Sequence, residues 1–127
     1  MIGKLRSVVV DTRDPLALAT FWAGVLGGRV MTDEDENDDT WVVVTDPTGR
    51  RLAFQLAPEH EPPTFPDPRG SQQFHLDILV DDVEVAERAV LALGATRVAD
   101  APGEDTFRVF RDPAGHPFCL VWGAPNS

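Results

Sequence analysis

With 127 residues, 21 acidic and 11 basic side chains and a formal net charge of −10, the chain is sized for one domain and strongly acidic. A chain of this length buries roughly 68% of its unfolded surface and so builds a real core, while the acidity excludes a nucleic-acid backbone as partner, which requires clustered Lys and Arg. No apolar run approaches the ~20 residues of a membrane helix, the single Cys119 makes no internal disulfide, and without a signal-like start the chain is expected in a reducing cytosol.

Residues 5–11 read as a short strand with Ser7, Val9 and Asp11 on one face and Val8 and Val10 on the other. Asp14-Pro15 then starts a helix. Asp14 is a good N-cap and Pro15 suits the first helical position. Leu18, Phe21, Trp22, Val25 and Leu26 recur at helical spacing until Gly27-Gly28. Strands are predicted over 29–32, 41–45 and 52–57. The run Asp33-Glu-Asp-Glu-Asn-Asp-Asp39 repels itself in any packed position and reads as a solvated loop. Asp46-Pro-Thr-Gly49 is a hairpin turn in which Asp accepts local backbone hydrogen bonds, Pro fixes φ and Gly supplies a positive φ.

Residues 57–70 carry Pro58, Pro62, Pro63, Pro66 and Pro68 and read as an extended linker. His75-Leu-Asp-Ile-Leu-Val-Asp-Asp82 opens a second strand. Asp81 or Asp82 caps a second helix, with Val83, Val85, Ala86, Ala89, Val90 and Leu93 as its apolar stripe and Gly94 as its stop. Further strands are predicted over 96–99, 106–110 and 118–122, the last two joined by Asp112-Pro-Ala-Gly115.

The second half thus repeats the first in order. Ser7 and His75, Leu26 and Leu93, and Asp46 and Asp112 lie 68, 67 and 66 residues apart. A long period present twice indicates module duplication rather than a solenoid, which needs three or more stacked units. The expected fold is α+β: two tandem βαβββ modules forming curved mixed sheets with a cupped cavity, assembled as a dimer. Residues 1–127 form one domain, with module one at about 3–57, the Pro-rich linker at about 58–70 and module two at about 71–124.

The strand running to Asp14, the Phe21-Trp22 pair seven residues later, the Leu-Gly helix ends, His75-Leu-Asp77 and the paired Asp-Pro-x-Gly turns resemble the vicinal oxygen chelate superfamily. That group includes glyoxalase I, extradiol dioxygenases, fosfomycin-resistance enzymes and bleomycin-binding proteins, and the chain is similar to its short bacterial glyoxalase-like members. The resemblance implies a homodimer with ligand sites in the cupped sheets. It also implies a test, because catalytic members hold a divalent metal with His, Glu or Gln at four equivalent places. Here those places fall at Ser7, Ala53, His75 and Cys119. Only His75 is a customary ligand. Ser is a poor one, Ala has no donor, and Cys119 offers a soft thiolate where the family has a hard carboxylate. No cofactor is therefore expected, and a divalent metal lacks the usual ligand set, unless Gln55 and Asp77, two residues along the same strand faces as Ala53 and His75, complete a non-standard one.

Each candidate also has a plainer reading. His75 serves as a metal ligand or catalytic group, or as a hydrogen-bonded cavity histidine. Asp77 places a charge in an apolar strand, which marks function or a salt bridge to Arg6 or Arg108. Cys119 is a ligand contact or a small buried hydrophobe, and a reactive role needs a neighbouring base, for which His75 is the candidate. Trp41, Phe107 and Trp122 line an aromatic pocket with Ser7 and Gln55, or pack the core. His60 and His116 are expected to be exposed. Two functions follow: a metal-independent binder that sequesters a drug or metabolite, favoured by the lost ligands and, for a cationic ligand, by the acidic surface; or a lyase, isomerase or dioxygenase-type enzyme acting on a small carbonyl or oxygenated substrate through His75 and Asp77, with or without a metal. A partner-binding sensor module is a third. Glyoxalase I activity itself does not fit one ligand in four.

Overall fold

The computed structural model describes residues 1–31, 38–64, 69, 75–98 and 106–122, which fall into two compact units, Met1–His60 and Glu61–Ser127. Among the described residues each unit holds one helix and one four-stranded mixed sheet.

In Met1–His60 the order is β1 (Val8–Thr12), α1 (Pro15–Leu26), β2 (Arg29–Val30), β3 (Trp41–Thr45) and β4 (Arg51–Leu56). The sheet order is β1-β4-β3-β2, with β1 parallel to β4 and the other pairs antiparallel. Local chemistry sets the ends of α1. The Asp14 carboxylate accepts from the Ala17 N–H at 3.1 Å, Pro15 occupies the first turn, and Gly27 closes the helix at φ 63°. Leu18, Ala19, Phe21 and Trp22 are buried, with Phe21 edge-on to Trp22 at 5.2 Å. Val42, Val43, Val44, Ala53 and Phe54 complete the core. Each buried Leu, Val or Phe contributes about 1.5–3 kcal/mol by leaving water.

Glu61–Ser127 repeats the plan with β5 (Leu76–Leu79), α2 (Val83–Leu93), β6 (Thr96–Arg97), β7 (Phe107–Arg111) and β8 (Pro117–Val121), in the order β5-β8-β7-β6. Asp82, not Asp81, is the N-cap, accepting from Glu84 and Val85 at 3.0 and 3.2 Å. Phe110 stacks on its cross-strand partner Phe118 at 5.7 Å, and both are fully buried with Leu120.

The two turns form alike. The Asp46 carboxylate accepts from the Thr48 and Arg50 N–H groups, both at 2.9 Å, and that of Asp112 from Ala114 and His116, both at 3.0 Å. Gly49 and Gly115 both stand at φ 90°.

The structure departs from the expected elements in several places, and β2 and β6 end at Val30 and Arg97 rather than at residues 32 and 99. The first strand begins at Val8 rather than at residue 5, because Leu5 lies exposed ahead of the β1–β4 pairing. Half of the apolar stripe of α2 is uncovered: Val85, Ala89 and Leu93 are exposed. Val90 alone in this helix is buried, with Val85 at 53% and Leu93 at 44% exposure. The cause is Arg97 and Arg108 on the sheet face beneath the helix, whose guanidiniums draw Glu84 and Glu87 toward the strands. Arg108 pairs with Glu84 at 2.7 Å and Glu87 at 3.1 Å, and Arg97 pairs with Glu87 at 2.7 Å. His60 and His116 are half-buried rather than exposed. In the Pro-rich segment, Pro62 packs against Gly115, and the Pro63 carbonyl accepts from Arg111 at 3.1 Å. Most of the acidic loop, together with Pro66 and Pro68, lies outside the described residues.

Candidate functional site

Parallel pairing of β5 with β8 sets Asp77 opposite Cys119. His75 lies two residues before Asp77 and so on the same face. Its Nε2 donates to the Asp77 carboxylate at 3.0 Å. The ligand atoms of His75, Asp77 and Cys119 all lie within 4.8 Å of one another. Cys119 is 7% exposed and clusters with Val98 and Val109, against which Phe107 and Val121 pack, whereas the Asp77 side chain is 58% exposed. The site is a polar group at the edge of an apolar patch.

Asp77 is thus tied to His75 and Cys119 rather than to Arg108, which pairs with glutamates on the opposite face. Burial first, and then the Asp77 carboxylate that accepts the S–H, push the Cys119 thiol up to about 11. A nucleophilic cysteine needs the reverse, a cationic neighbour that favours the thiolate. In the metal-free protein Cys119 is a protonated donor. In the His75–Asp77 pair the carboxylate fixes the orientation of the imidazole.

The corresponding positions in Met1–His60 are chemically different. The parallel pair that matches Asp77 and Cys119 is Val9 and Ala53, with Ser7 in the place of His75. None of these three offers a customary metal donor. The four-ligand centre spread over both modules therefore does not fit this chain. The three donors that converge all come from Glu61–Ser127.

The other candidates divide between faces. In Met1–His60, Gln55 pairs with Trp41 on one side and Asp11 on the other, so these three share the face of Ser7, Val9 and Ala53. Asp11 joins the group through the parallel register, which the spacing of residues along one strand does not reveal. In Glu61–Ser127, Phe107 faces the same side as Cys119. Trp122 does not. Its ring lies 5.7 Å from the Arg108 guanidinium, on the face covered by α2.

No helix of the structure is long and apolar enough to cross a membrane. Comparison with curated proteins finds no match. Among solved structures, the chain is similar to a glyoxalase/bleomycin resistance protein/dioxygenase family enzyme from Burkholderia phytofirmans PsJN, with a TM-score of 0.71 and 19% identity over 94% of this chain and 98% of that one. It is also similar to the fosfomycin resistance protein FosX from Mesorhizobium loti, with a TM-score of 0.70 and 18% identity over 99% and 96%. FosX from Listeria monocytogenes gives a TM-score of 0.71 and 15% identity over 99% and 95%. These likenesses carry the tandem βαβββ fold. The family model for the glyoxalase-like domain matches residues 7–121, and with that match spanning both repeats, the chain belongs to the glyoxalase-like family of the vicinal oxygen chelate superfamily.

Proposed function

We propose that this chain binds a small organic molecule and sequesters it, using the sheet face of Glu61–Ser127 that carries Asp77 and Cys119, with the His75–Asp77 pair as its polar handle and Phe107, Val109 and Val121 as its apolar floor. One observation carries the reading: of the four positions where catalytic relatives place metal ligands, only His75 holds a customary ligand, while the other three hold Ser7, Ala53 and the protonated thiol of Cys119. A cleft with an apolar floor and few convergent polar groups suits binding. The net charge of −10 and the exposed Asp77 favour a neutral or cationic ligand over an anion. Fosfomycin, an anionic phosphonate, is therefore a poor candidate despite the likeness to FosX, and a cationic drug of the bleomycin type is a better one. A homodimer is the assembly that the family resemblance suggests.

The test is a thermal-shift and calorimetric screen of the full chain with bleomycin, fosfomycin, a set of catechols and the glutathione hemithioacetal of methylglyoxal, with product analysis of each mixture. Saturable binding of a cationic or neutral compound, recovered unchanged and weakened by Asp77→Asn, supports sequestration. Turnover of any compound would instead establish the second reading, an enzyme using the 3.0 Å His75–Asp77 pair as acid and base.

A further inference from the structure

We propose that the N-terminal arm of one copy of this chain, residues 1–6, docks on the uncovered flank of α2 in a second copy. The contact lies on the helix side of its sheet and uses no residue of the organic-ligand site proposed above.

The flank is exposed for a structural reason. Glu84 and Glu87 are drawn down to Arg97 and Arg108 on the sheet, which fixes the roll of the helix and leaves Val85, Ala89 and Leu93 exposed. These three residues recur every fourth position and so form one stripe along the helix. The matching helix α1 shows the alternative. At the repeat offset of 68, its Leu18, Phe21 and Trp22 stand where α2 has Ala86, Ala89 and Val90, and all three are buried. Alanine at two of those places gives α2 little bulk to hold its stripe inward. The stripe therefore meets water, and a contiguous apolar surface in water marks an interaction site.

Exposure, charge and length identify the occupant. Met1, Ile2 and Leu5 are fully or nearly fully exposed, and a Cβ on Gly3 would meet nothing. Residues 1–10 carry Lys4 and Arg6 and no carboxylate side chain, in a chain of net charge −10. Asp81 and Asp82 stand exposed at the N-terminal end of the stripe. The basic arm is attracted to that end, whereas the acidic bodies of two copies otherwise repel. From Val85 to Leu93 the helix rises about 12 Å, and Met1 to Leu5 spans about 13 Å of extended chain. The fit has one direction: Lys4 against Asp81, Leu5 on Val85, and Met1 and Ile2 toward Leu93, with the arm antiparallel to the helix. Apolar burial on both copies supplies the attraction, and the salt-screened charges set the direction.

The experiment places the photoreactive residue p-benzoylphenylalanine at position Ile2 of the full chain, irradiates an equal mixture of isotopically heavy and light protein, and identifies the cross-linked peptides by mass spectrometry. Self-association is followed in parallel by analytical sedimentation over a range of concentrations. The expected product joins the arm of one copy to α2 of the other in mixed heavy and light pairs. Leu5→Glu and Leu93→Glu each weaken self-association at least about tenfold, with unchanged far-ultraviolet circular dichroism. The arm precedes β1 and belongs to no element, so Leu5→Glu tests the contact without touching the fold. Lys4→Glu and Asp81→Lys each weaken association severalfold, and the two combined restore it. Cross-links confined to one copy or to other surfaces, a monomer at every concentration, or a Leu5→Glu chain that associates like the wild type overturns the arm contact. Its failure leaves the organic-ligand reading intact, because that reading is scored by compounds bound on the other face of the sheet.

Discussion

At the scale of single residues, Cys119 and Asp77 make a coupled pair whose consequences are measurable in the metal-free protein. The thiol is raised from an ordinary 9.0 to about 11, chiefly by burial and further by the Asp77 carboxylate. Alkylation by iodoacetamide at pH 8 is expected to be much slower than for an exposed cysteine, and Asp77→Asn is expected to speed it severalfold. A fast wild-type rate would contradict the assignment of a protonated thiol. The linkage has a definite sign: a group whose folded pKa exceeds its unfolded value adds stability below the unfolded value and loses it as pH rises. Denaturant midpoints should therefore fall between about pH 9 and 11, and Cys119→Ser should flatten that fall. Asp112 offers a second residue-level test. It is 4% exposed and holds two turn amides, so Asp112→Ala should cost about 1–3 kcal/mol by leaving those donors unpaired. Asp46 occupies the matching turn only half-buried, so its removal should cost less. Its carboxyl is held below the usual range, chiefly by the Thr48 hydroxyl, and that contribution fades only as pH falls through the acid range.

Element-scale comparisons separate two effects that the sequence runs together. Gly49 and Gly115 occupy the same turn position at the same φ of 90°, but a Cβ on Gly49 meets nothing, while one on Gly115 overlaps Pro62. Gly49→Ala should cost about 1–2 kcal/mol for the left-handed backbone alone. Gly115→Ala should cost more, and the excess reports the hold of the Pro-rich segment on the β7–β8 turn. Equal losses in chemical denaturation would show that Pro62 moves aside freely. Helix α2 allows a parallel comparison. Glu87 joins two arginines and is the more buried carboxylate, so Glu87→Ala should destabilise by about 1–3 kcal/mol, well beyond the effect at Glu84, whose side chain is 63% exposed. The helix itself was legible in the sequence through Asp82 and Gly94, because caps are local chemistry. The face it turns inward was not. Hydrophobic periodicity pointed to Val85 and Leu93, but Arg97 and Arg108 on neighbouring strands required carboxylates against them, and that requirement exists only once the strands are paired.

At the scale of the whole molecule, the excess of acidic side chains makes the folded state repel itself. Added sodium chloride should raise the thermal midpoint as screening shortens the reach of that repulsion to ~10 Å at 0.1 M. A midpoint unchanged by salt would mean that the charges lie too far apart to interact. The duplication also has an energetic counterpart, since each unit buries its own aromatic centre, Trp22 and Phe54 in one, Phe110 and Phe118 in the other. Phe54→Ala and Phe118→Ala are each expected to cost about 3–5 kcal/mol.

The sequence by itself determined what depends on short-range rules: the caps at Asp14 and Asp82, the two Asp-Pro-x-Gly turns, the alternation that puts His75 and Asp77 on one face, and the repetition that specifies two like sheets. Tertiary structure decided what depends on strand register and packing. Parallel pairing of β5 with β8 brought Cys119 to Asp77, 42 positions later in the chain. The same pairing in the first unit set Val9 against Ala53 and gave that face no matching donors. Trp122 and Phe107, both plausible as pocket residues from composition, were sent to opposite faces of one sheet. Side-chain direction alternates with every residue along a strand. Which strand lies beside it, and at what offset, is a property of the assembled sheet.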